Sequence, residues 1–291
     1  MILRPNPFDS QGQKIHRYFS GRLQSDSRFL AFYSDTISTI CGDPNISAPD
    51  FVKIPLVING TQHPPLGSFF DQARKYLNPR EPGGLRDLPA AFGLGDGHGG
   101  NVMGTPGGQS TDIMHIDYEV SGTHCPFLDM AKAMYNDGFF NAFYGDLLSD
   151  NLSSKPNASG ITVAWSFSPE VIRVDYEADV GDVGKVIAVT KLEYILVPLL
   201  QLVAEKHDSS KVDLAEKVLG HALLACALLT RNFSKRPDLL FLNLALGVRL
   251  AADMRRVFAE TFGWVMPRVE DWSAQPSNEV RAELDEGSGI D

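Results

Sequence analysis

Cysteine is scarce in this sequence. The chain has three cysteines in 291 residues, at Cys41, Cys125 and Cys226. A disulfide framework or a structural zinc site requires several cysteines at short, regular spacings. The sequence therefore predicts neither kind of site, and it favours a reducing, cytoplasmic environment.

Long apolar runs and a secretory signal are also lacking. The sequence begins MILRPNPF, without the apolar core of a signal peptide. The longest relevant apolar stretch, residues 194–203, is interrupted by Pro198 and falls short of the roughly 18 residues that a membrane span requires. We therefore expect no membrane association, and we interpret residues 194–203 as a buried helix.

Positive charge is in deficit. Lysine and arginine total 26 against 36 aspartate and glutamate residues, which gives a formal net charge of -10. Nucleic acids and anionic membranes attract clustered lysine and arginine, so neither is expected as the main partner. A small cationic substrate such as an amine would suit the acidic balance.

The most informative segment, residues 92–119, reads FGLGDGHGGNVMGTPGGQSTDIMHIDYE. Its glycine- and proline-rich centre, GTPGGQST, predicts a β-hairpin. A hairpin there would bring Asn101 and Asp117 side by side, and two oxygen ligands so placed suit a Mg²⁺ ion shared with substrate phosphates. Asp96 would then be left to orient a nucleophilic hydroxyl, which is the division of labour in kinases.

This segment resembles the catalytic core of the aminoglycoside phosphotransferase and choline kinase superfamily. The superfamily pattern is approximately H-G-D-x-H-x-x-N followed by I-D-[WY]-E. Residues 116–122, IDYEVSG, and residues 129–131, DMA, are similar to elements of choline and ethanolamine kinases. Phosphoinositide 3-kinases, with L-G-D-R-H-x-x-N and H-I-D-F-G, are similar to a lesser degree.

The resemblance implies a protein-kinase-like fold with ATP and Mg²⁺ as cofactors. The implied reaction is phosphoryl transfer to a hydroxyl of a small molecule, an amino alcohol or related metabolite. Position by position, the resemblance assigns catalysis to Asp96 and His98, metal and nucleotide binding to Asn101 and Asp117, support of the catalytic loop to Asp129, and substrate binding to Glu119.

The sequence departs from the family pattern in two places. Leu94 stands where the family usually has histidine or asparagine, and residues 1–90 contain neither G-x-G-x-x-G nor a V-A-I-K-like strand. Lys53 is the only lysine there in a strand-like run, residues 51–58. Two alternatives therefore stay open: an inactive or repurposed kinase-fold protein without a nucleotide-binding lobe, and a lipid or protein kinase relative.

The predicted fold class is α+β and mainly helical, a kinase-like large lobe with a reduced or truncated small lobe. We expect a residual small lobe and hinge at residues 1–65, a helical catalytic lobe at 66–272 and a disordered tail at 273–291. Apolar spacing predicts secondary structure as well. It indicates helices at 128–148, broken at Gly138, and at 192–206, 211–232 and 237–262, with a strand pair within 162–176 and a packed histidine at His221.

Overall fold

The computed structural model describes residues 14–24, 28–107, 110–144 and 161–269. The tail predicted at residues 273–291 lies outside these ranges. The described residues form an α+β fold that is mainly helical, as predicted. That architecture does not by itself identify a kinase-like fold.

Short helices dominate the first part of the chain. Ser47 caps the fourth of them by accepting a hydrogen bond from the backbone N–H of Asp50, and a proline occupies its first turn. A tight turn at Asn59 and Gly60, both with positive φ, joins the two strands that follow. The elements are α1 Lys14–Arg22, α2 Arg28–Tyr33, α3 Ile37–Cys41, α4 Ala48–Phe51, β1 Leu56–Ile58, β2 Thr61–His63 and α5 Leu66–Tyr76.

The strand-like run predicted at residues 51–58 is wrong in its first half. Helix α4 ends at Phe51, and the strand begins only at Leu56. The Ser47 cap and the proline that follows it stabilise a helical turn at these positions, and this overrides their apolar, β-branched pattern. Lys53 is consequently in the turn between α4 and β1, where its ammonium pairs with Asp50 at 2.8 Å and is largely exposed.

The motif segment forms two small antiparallel pairs. Strand β3, Ala91–Gly93, pairs with β6, Gly122–His124. Between them, β4, Val102–Gly107, and β5, Ser110–His115, form the predicted hairpin, in the register that sets Val102 opposite His115. The hairpin is confirmed.

The helix predicted at residues 128–148 is present through most of its length. It comprises α6, Pro126–Ala133, a π-helical turn, Met134–Phe140, and α7, Asn141–Tyr144. The predicted break at Gly138 is therefore a local widening of one continuous helix, a form often found at functional positions. Residues 145–148 lie outside the described ranges.

The remaining predicted helices and the strand pair are present, with some differences. The helix predicted from 192 begins at Gly181, the one predicted to 232 ends at Leu229, and the one at 237–262 has non-helical backbone at Asp253. Strand β8, Val171–Glu177, joins β1 in parallel and pairs with β7, Thr162–Ser168, so that the four-stranded sheet has the order β2-β1-β8-β7. The helical elements are α8 Gly181–Lys191, a π-helical turn Leu192–Leu196, α9 Val197–Lys206, α10 Ser210–Leu229 and α11 Pro237–Phe262.

Helices α10 and α11 lie at the centre of one hydrophobic core that also includes the first helices. The hydroxyl of Tyr33 in α2 accepts a hydrogen bond of 3.1 Å from the backbone N–H of Phe233. The ring of Phe51 in α4 lies 6.4 Å from that of Phe241 in α11. The domain boundary predicted at residue 65 stays a prediction, but the described residues before it share this core.

The continuous helical stretch Gly181–Lys206 is only partly buried. Its length and composition would allow it to cross a membrane, and 33% of its most apolar window is buried. Core helices of soluble proteins can have the same length and composition, so this is weak evidence for a membrane span. Residues 194–203 are helical as predicted, although Tyr194 and Ile195 are exposed.

His221 is a packed side chain, as predicted. It is almost fully buried in α10, and its Nδ1 atom lies 2.7 Å from the carbonyl oxygen of Lys217. Its ring lies 4.8 Å from that of Tyr76 in α5. These contacts account for a histidine inside an apolar helix without a ligand role.

Candidate functional site

The loop after β3 carries the motif aspartate and is held close to the chain that follows the hairpin. Gly95 has a φ of 80°, and a Cβ atom there would lie 2.4 Å from the carbonyl oxygen of Val120. A residue other than glycine would be strained in its backbone and would collide with Val120. The local geometry therefore requires a glycine at position 95, directly before Asp96.

Asp96 forms an ion pair that the sequence did not reveal. The Nζ atom of Lys132 in α6 lies 2.6 Å from Oδ2 of Asp96, with the lysine side chain 6% exposed and the aspartate side chain 20% exposed. The ammonium also lies 4.1 Å from the centre of the Tyr18 ring. A buried ammonium requires such partners, because burial without them is costly.

The other oxygen of Asp96, Oδ1, is buried and has no hydrogen-bond partner among the described residues. Nε2 of His98 lies 3.6 Å from Oδ1, which is beyond hydrogen-bond distance. His98 is itself held in the loop, because its Nδ1 atom accepts a hydrogen bond of 3.1 Å from the backbone N–H of Gly100.

Asn101 links the loop to the hairpin. Its Nδ2 atom donates to the carbonyl oxygen of Asp96 at 2.9 Å, and its own carbonyl accepts from the backbone N–H of Ile116 at 2.9 Å. Asp117 follows directly, so the two residues are neighbours across the base of the hairpin. Asp117 has a φ of 62°, and the only other described non-glycine residue with positive φ is Asn59. An unfavourable backbone conformation of this kind is often retained at a functional position.

Asn101 and Asp117 offer oxygen ligands that fit magnesium better than a transition metal. With its nitrogen bonded to Asp96, the Asn101 amide has its Oδ1 atom left to bind a cation, and the Asp117 side chain is exposed. Among the described residues, no three histidine, cysteine, aspartate or glutamate side chains converge on a metal position. Magnesium does not need such a cage, because it commonly takes one or two protein oxygens together with waters and phosphates.

Asp129 supports the two strands that flank the loop. Its Oδ1 atom lies 2.9 Å from Nε2 of the buried His124 in β6. Its Oδ2 atom lies against Gly93 in β3, where a Cβ atom would come within 1.9 Å of it. The Asp129 carboxylate therefore contacts both members of the β3–β6 pair.

A second buried carboxylate, Asp137, contacts the loop directly. Both of its oxygens lie 3.0 Å from the backbone nitrogen of Gly99, which begins the 3₁₀ turn Gly99–Asn101. Its Oδ2 atom also lies 3.1 Å from Nζ of Lys191 at the end of α8. Asp137 was not among the predicted site residues, although an acidic residue beside the predicted break at Gly138 was a usable signal.

The two other features near the site are less informative. Glu119 is exposed, and its carbonyl oxygen accepts a hydrogen bond of 2.9 Å from Nζ of Lys14, so no contact of its side chain points to a substrate. Cys226 is within electrostatic reach of Lys132 and Asp96. Burial raises the pKa of its thiol to about 12, so Cys226 is neutral near pH 7 and does not compete with Asp96 for the lysine.

Comparisons with known proteins give the chain no family. A scan against models of protein families, a search of curated proteins and a search of solved structures each found no match. The resemblance to the aminoglycoside phosphotransferase and choline kinase superfamily therefore depends on residues 92–131 and on the local geometry of the loop and hairpin.

Proposed function

We propose that this protein transfers a phosphoryl group from ATP to a hydroxyl of a small molecule, an amino alcohol or related metabolite, with Mg²⁺. The observation that carries the proposal is the hairpin, which makes Asn101 and Asp117 neighbours while the Asn101 amide bonds to the backbone of Asp96. A base and two magnesium ligands in this order are the parts that kinases use.

Asp96 has the geometry of an acceptor for the substrate proton. Lys132 fixes Oδ2, and the buried Oδ1 atom has no hydrogen-bond partner among the described residues, so a hydroxyl brought next to it would meet an unpaired acceptor. In the proposed transfer, the hydroxyl oxygen forms a bond to the γ-phosphorus of ATP, the bond from that phosphorus to the bridging oxygen of ADP breaks, and the hydroxyl proton goes to Asp96. His98 acts as a positioning residue beside Oδ1.

The metal would be held by Asn101 and Asp117. Magnesium supplies positive charge that offsets the phosphates and orients them for in-line transfer. The chain's own contribution is to fix these two ligands at the base of the hairpin, while Asp137 holds the preceding turn through the Gly99 N–H. The conformation of the loop is thus fixed before a ligand binds, as efficient positioning of the reacting groups requires.

A second candidate function is that of a kinase-like protein that no longer binds ATP. The observation that favours it concerns Lys53, the one lysine of residues 1–90 in the run predicted to be strand-like. Lys53 is exposed and pairs with Asp50 in a turn. No described contact favours the remaining alternative, a lipid or protein kinase relative.

A thermal-shift titration with ATP, with and without Mg²⁺, tests the proposal. We expect Mg·ATP at about 100 times its Kd to raise the Tm of the wild type by several degrees, because a ligand at that excess stabilises the folded state by about 2.7 kcal/mol. The Asp117→Ala variant should lose the magnesium-dependent part of this shift.

The matched control is Asp35→Ala, at an exposed aspartate in the turn between α2 and α3. It should keep the full response to Mg·ATP. The proposed function would be contradicted if the wild type did not respond to Mg·ATP, or if the control lost its response together with Asp117→Ala. Either result would favour a kinase-like protein that does not bind ATP.

A further inference from the structure

A groove of about 910 Å³ opens beside the motif loop. Gly93, Leu94 and Gly97 form its wall on the loop side, and Asp96 lies between the last two of them. Met130 and Ala133 of α6 are also among its lining residues. A molecule in this groove would therefore touch the same loop that carries the proposed base.

The groove exposes large apolar side chains. Phe92 is 75% exposed, Tyr194 is 73% exposed and Ile195 is 48% exposed, and all three line it. A ligand in this concavity would bury their apolar surface, and that burial is energetically favourable.

One wall of the groove is long. It follows a single helical face through Tyr194, Pro198, Leu202 and Glu205, which recur at intervals of three and four residues. At 1.5 Å of rise per residue, this face extends about 16 Å. A compact amino alcohol would contact only a small part of such a wall, whereas an extended apolar molecule could follow it.

The charged residues that line the groove are all acidic. The lining residues, all within the described part of the chain, include the carboxylates of Asp129 and Glu205 and no lysine, arginine or histidine. Asp129 is 25% exposed and Glu205 is exposed at the helix end. Apolar walls with only negative charge favour a ligand that carries a cationic group on an apolar body.

The geometry points to an amphipathic amine as the ligand of this groove, with an extended alkyl or polycyclic body along Phe92 and Tyr194 and a cationic group at Glu205, because the Asp129 carboxylate already contacts His124 and Gly93. This inference rests on the proposed function and deepens it, because it makes the phosphoryl acceptor a hydroxyl-bearing amphipathic amine. Amine binding in the groove can be tested without ATP, so this inference and the proposed function can be refuted separately.

The test measures binding of four probes to the full chain by calorimetry, in the absence of ATP and Mg²⁺ and below the critical micelle concentration of each. The probes are octylamine, octanol, octanoate and ethanolamine, which separate the contributions of charge and apolar length. We expect octylamine to bind most tightly and ethanolamine and octanoate to bind at least tenfold more weakly. Equal binding of octylamine and octanoate, or no binding of octylamine below its critical micelle concentration, would overturn the inference.

Two pairs of variants locate the site. Tyr194→Ser should weaken octylamine binding about fivefold or more, through lost apolar contact, whereas Val265→Ser, at an exposed apolar residue outside the groove, should leave it unchanged. Glu205→Gln should weaken octylamine but not octanol, and Glu193→Gln, at an exposed glutamate on the same helical stretch, should affect neither. Equal effects of a groove variant and its control would overturn the assignment of the site.

A phosphotransfer assay with aminooctanol as acceptor then separates the two ideas. Octylamine binding without any response to Mg·ATP would remove the proposed function and leave the groove as a binding site for amphipathic amines. A response to Mg·ATP with phosphorylation of ethanolamine but not of aminooctanol would retain the kinase and overturn the inference about the acceptor.

Discussion

The Nζ atom of Lys132 lies 2.6 Å from Oδ2 of Asp96, and this contact joins the motif loop to helix α6. Replacing Asp96 with asparagine would leave the buried ammonium without a carboxylate. We expect Asp96→Asn to lower the free energy of unfolding by about 2–3 kcal/mol, somewhat less than for a fully buried pair because Asp96 is partly exposed. Adding Lys132→Met should restore much of this loss, since it removes the uncompensated charge.

Urea denaturation of the wild type, both single variants and the double variant measures the coupling between the two residues. Asp71→Asn is the control, because Asp71 pairs with Arg74 at the surface, with side chains 76% and 41% exposed. That change should cost less than about 1 kcal/mol. A coupling energy near zero for Asp96 and Lys132 would contradict a structural role for the pair.

A second expectation concerns Asp137, whose carboxylate accepts the Gly99 N–H and pairs with Lys191. Asp137→Asn keeps the size of the side chain but removes its charge. We expect a loss of about 2–3 kcal/mol, because hydrogen bonds to buried charged groups contribute about that much. Hydrogen exchange should accelerate selectively at Gly99 and its neighbours in the loop.

The control for Asp137 is Asp175→Asn, at an exposed position of β8. It should change neither the unfolding midpoint nor exchange in the loop. If Asp137→Asn leaves exchange at Gly99 unchanged, then the loop does not depend on this carboxylate.

The sequence was sufficient to predict the elements that local patterns determine. The hairpin between Asn101 and Asp117 follows from its glycine- and proline-rich centre, and helix α11 follows from apolar residues at intervals of three and four. The turn at Lys53 was not predicted, because a capping serine and a proline determine the backbone conformation there and override the apolar pattern.

Contacts between distant parts of the chain were not predictable in the same way. Lys132 contacts Asp96, and Asp137 contacts Gly99, only because α6 and the π-helical turn pack beneath the loop. No local spacing encodes that packing. The groove beside the loop has the same origin, since Phe92 and Tyr194 are far apart in sequence and meet only through the fold.

Two neighbouring glycines of the loop should respond differently to the same substitution. At Gly95, with a φ of 80°, a Cβ atom would lie 2.4 Å from the carbonyl oxygen of Val120. At Gly97, it would meet Cδ1 and Cβ of Leu94 at 3.5 and 3.7 Å, which are ordinary contacts. We expect Gly95→Ala to cost more than about 2 kcal/mol and Gly97→Ala less than about 1 kcal/mol.

Chemical denaturation of the two alanine variants compares their free energies of unfolding directly. Each variant is the other's control, because they add the same methyl group two residues apart in one loop. Equal stability of the two would mean that the path of the loop past Val120 differs from the one described.

His221 should make the protein sensitive to mild acid. Burial lowers the pKa of its imidazole from 6.5 to about 4, against a smaller opposing effect of the hydrogen bond to the Lys217 carbonyl. Below pH 6.5 the unfolded chain binds a proton at this histidine that the folded protein does not bind until about pH 4. Stability should therefore fall as the pH decreases through this window, by up to about 1.4 kcal/mol per pH unit from this residue.

Free energies of unfolding measured at intervals between pH 7.5 and pH 4.5 would isolate this contribution. His221→Gln removes the titrating group, so its stability should fall less steeply with acid than that of the wild type, even if the variant is less stable at pH 7.5. His207→Gln, at the exposed end of α9, should follow the wild-type slope. If the curves for His221→Gln and the wild type are parallel, the acid sensitivity arises elsewhere, since a buried neutral imidazole at position 221 requires them to converge as the pH falls.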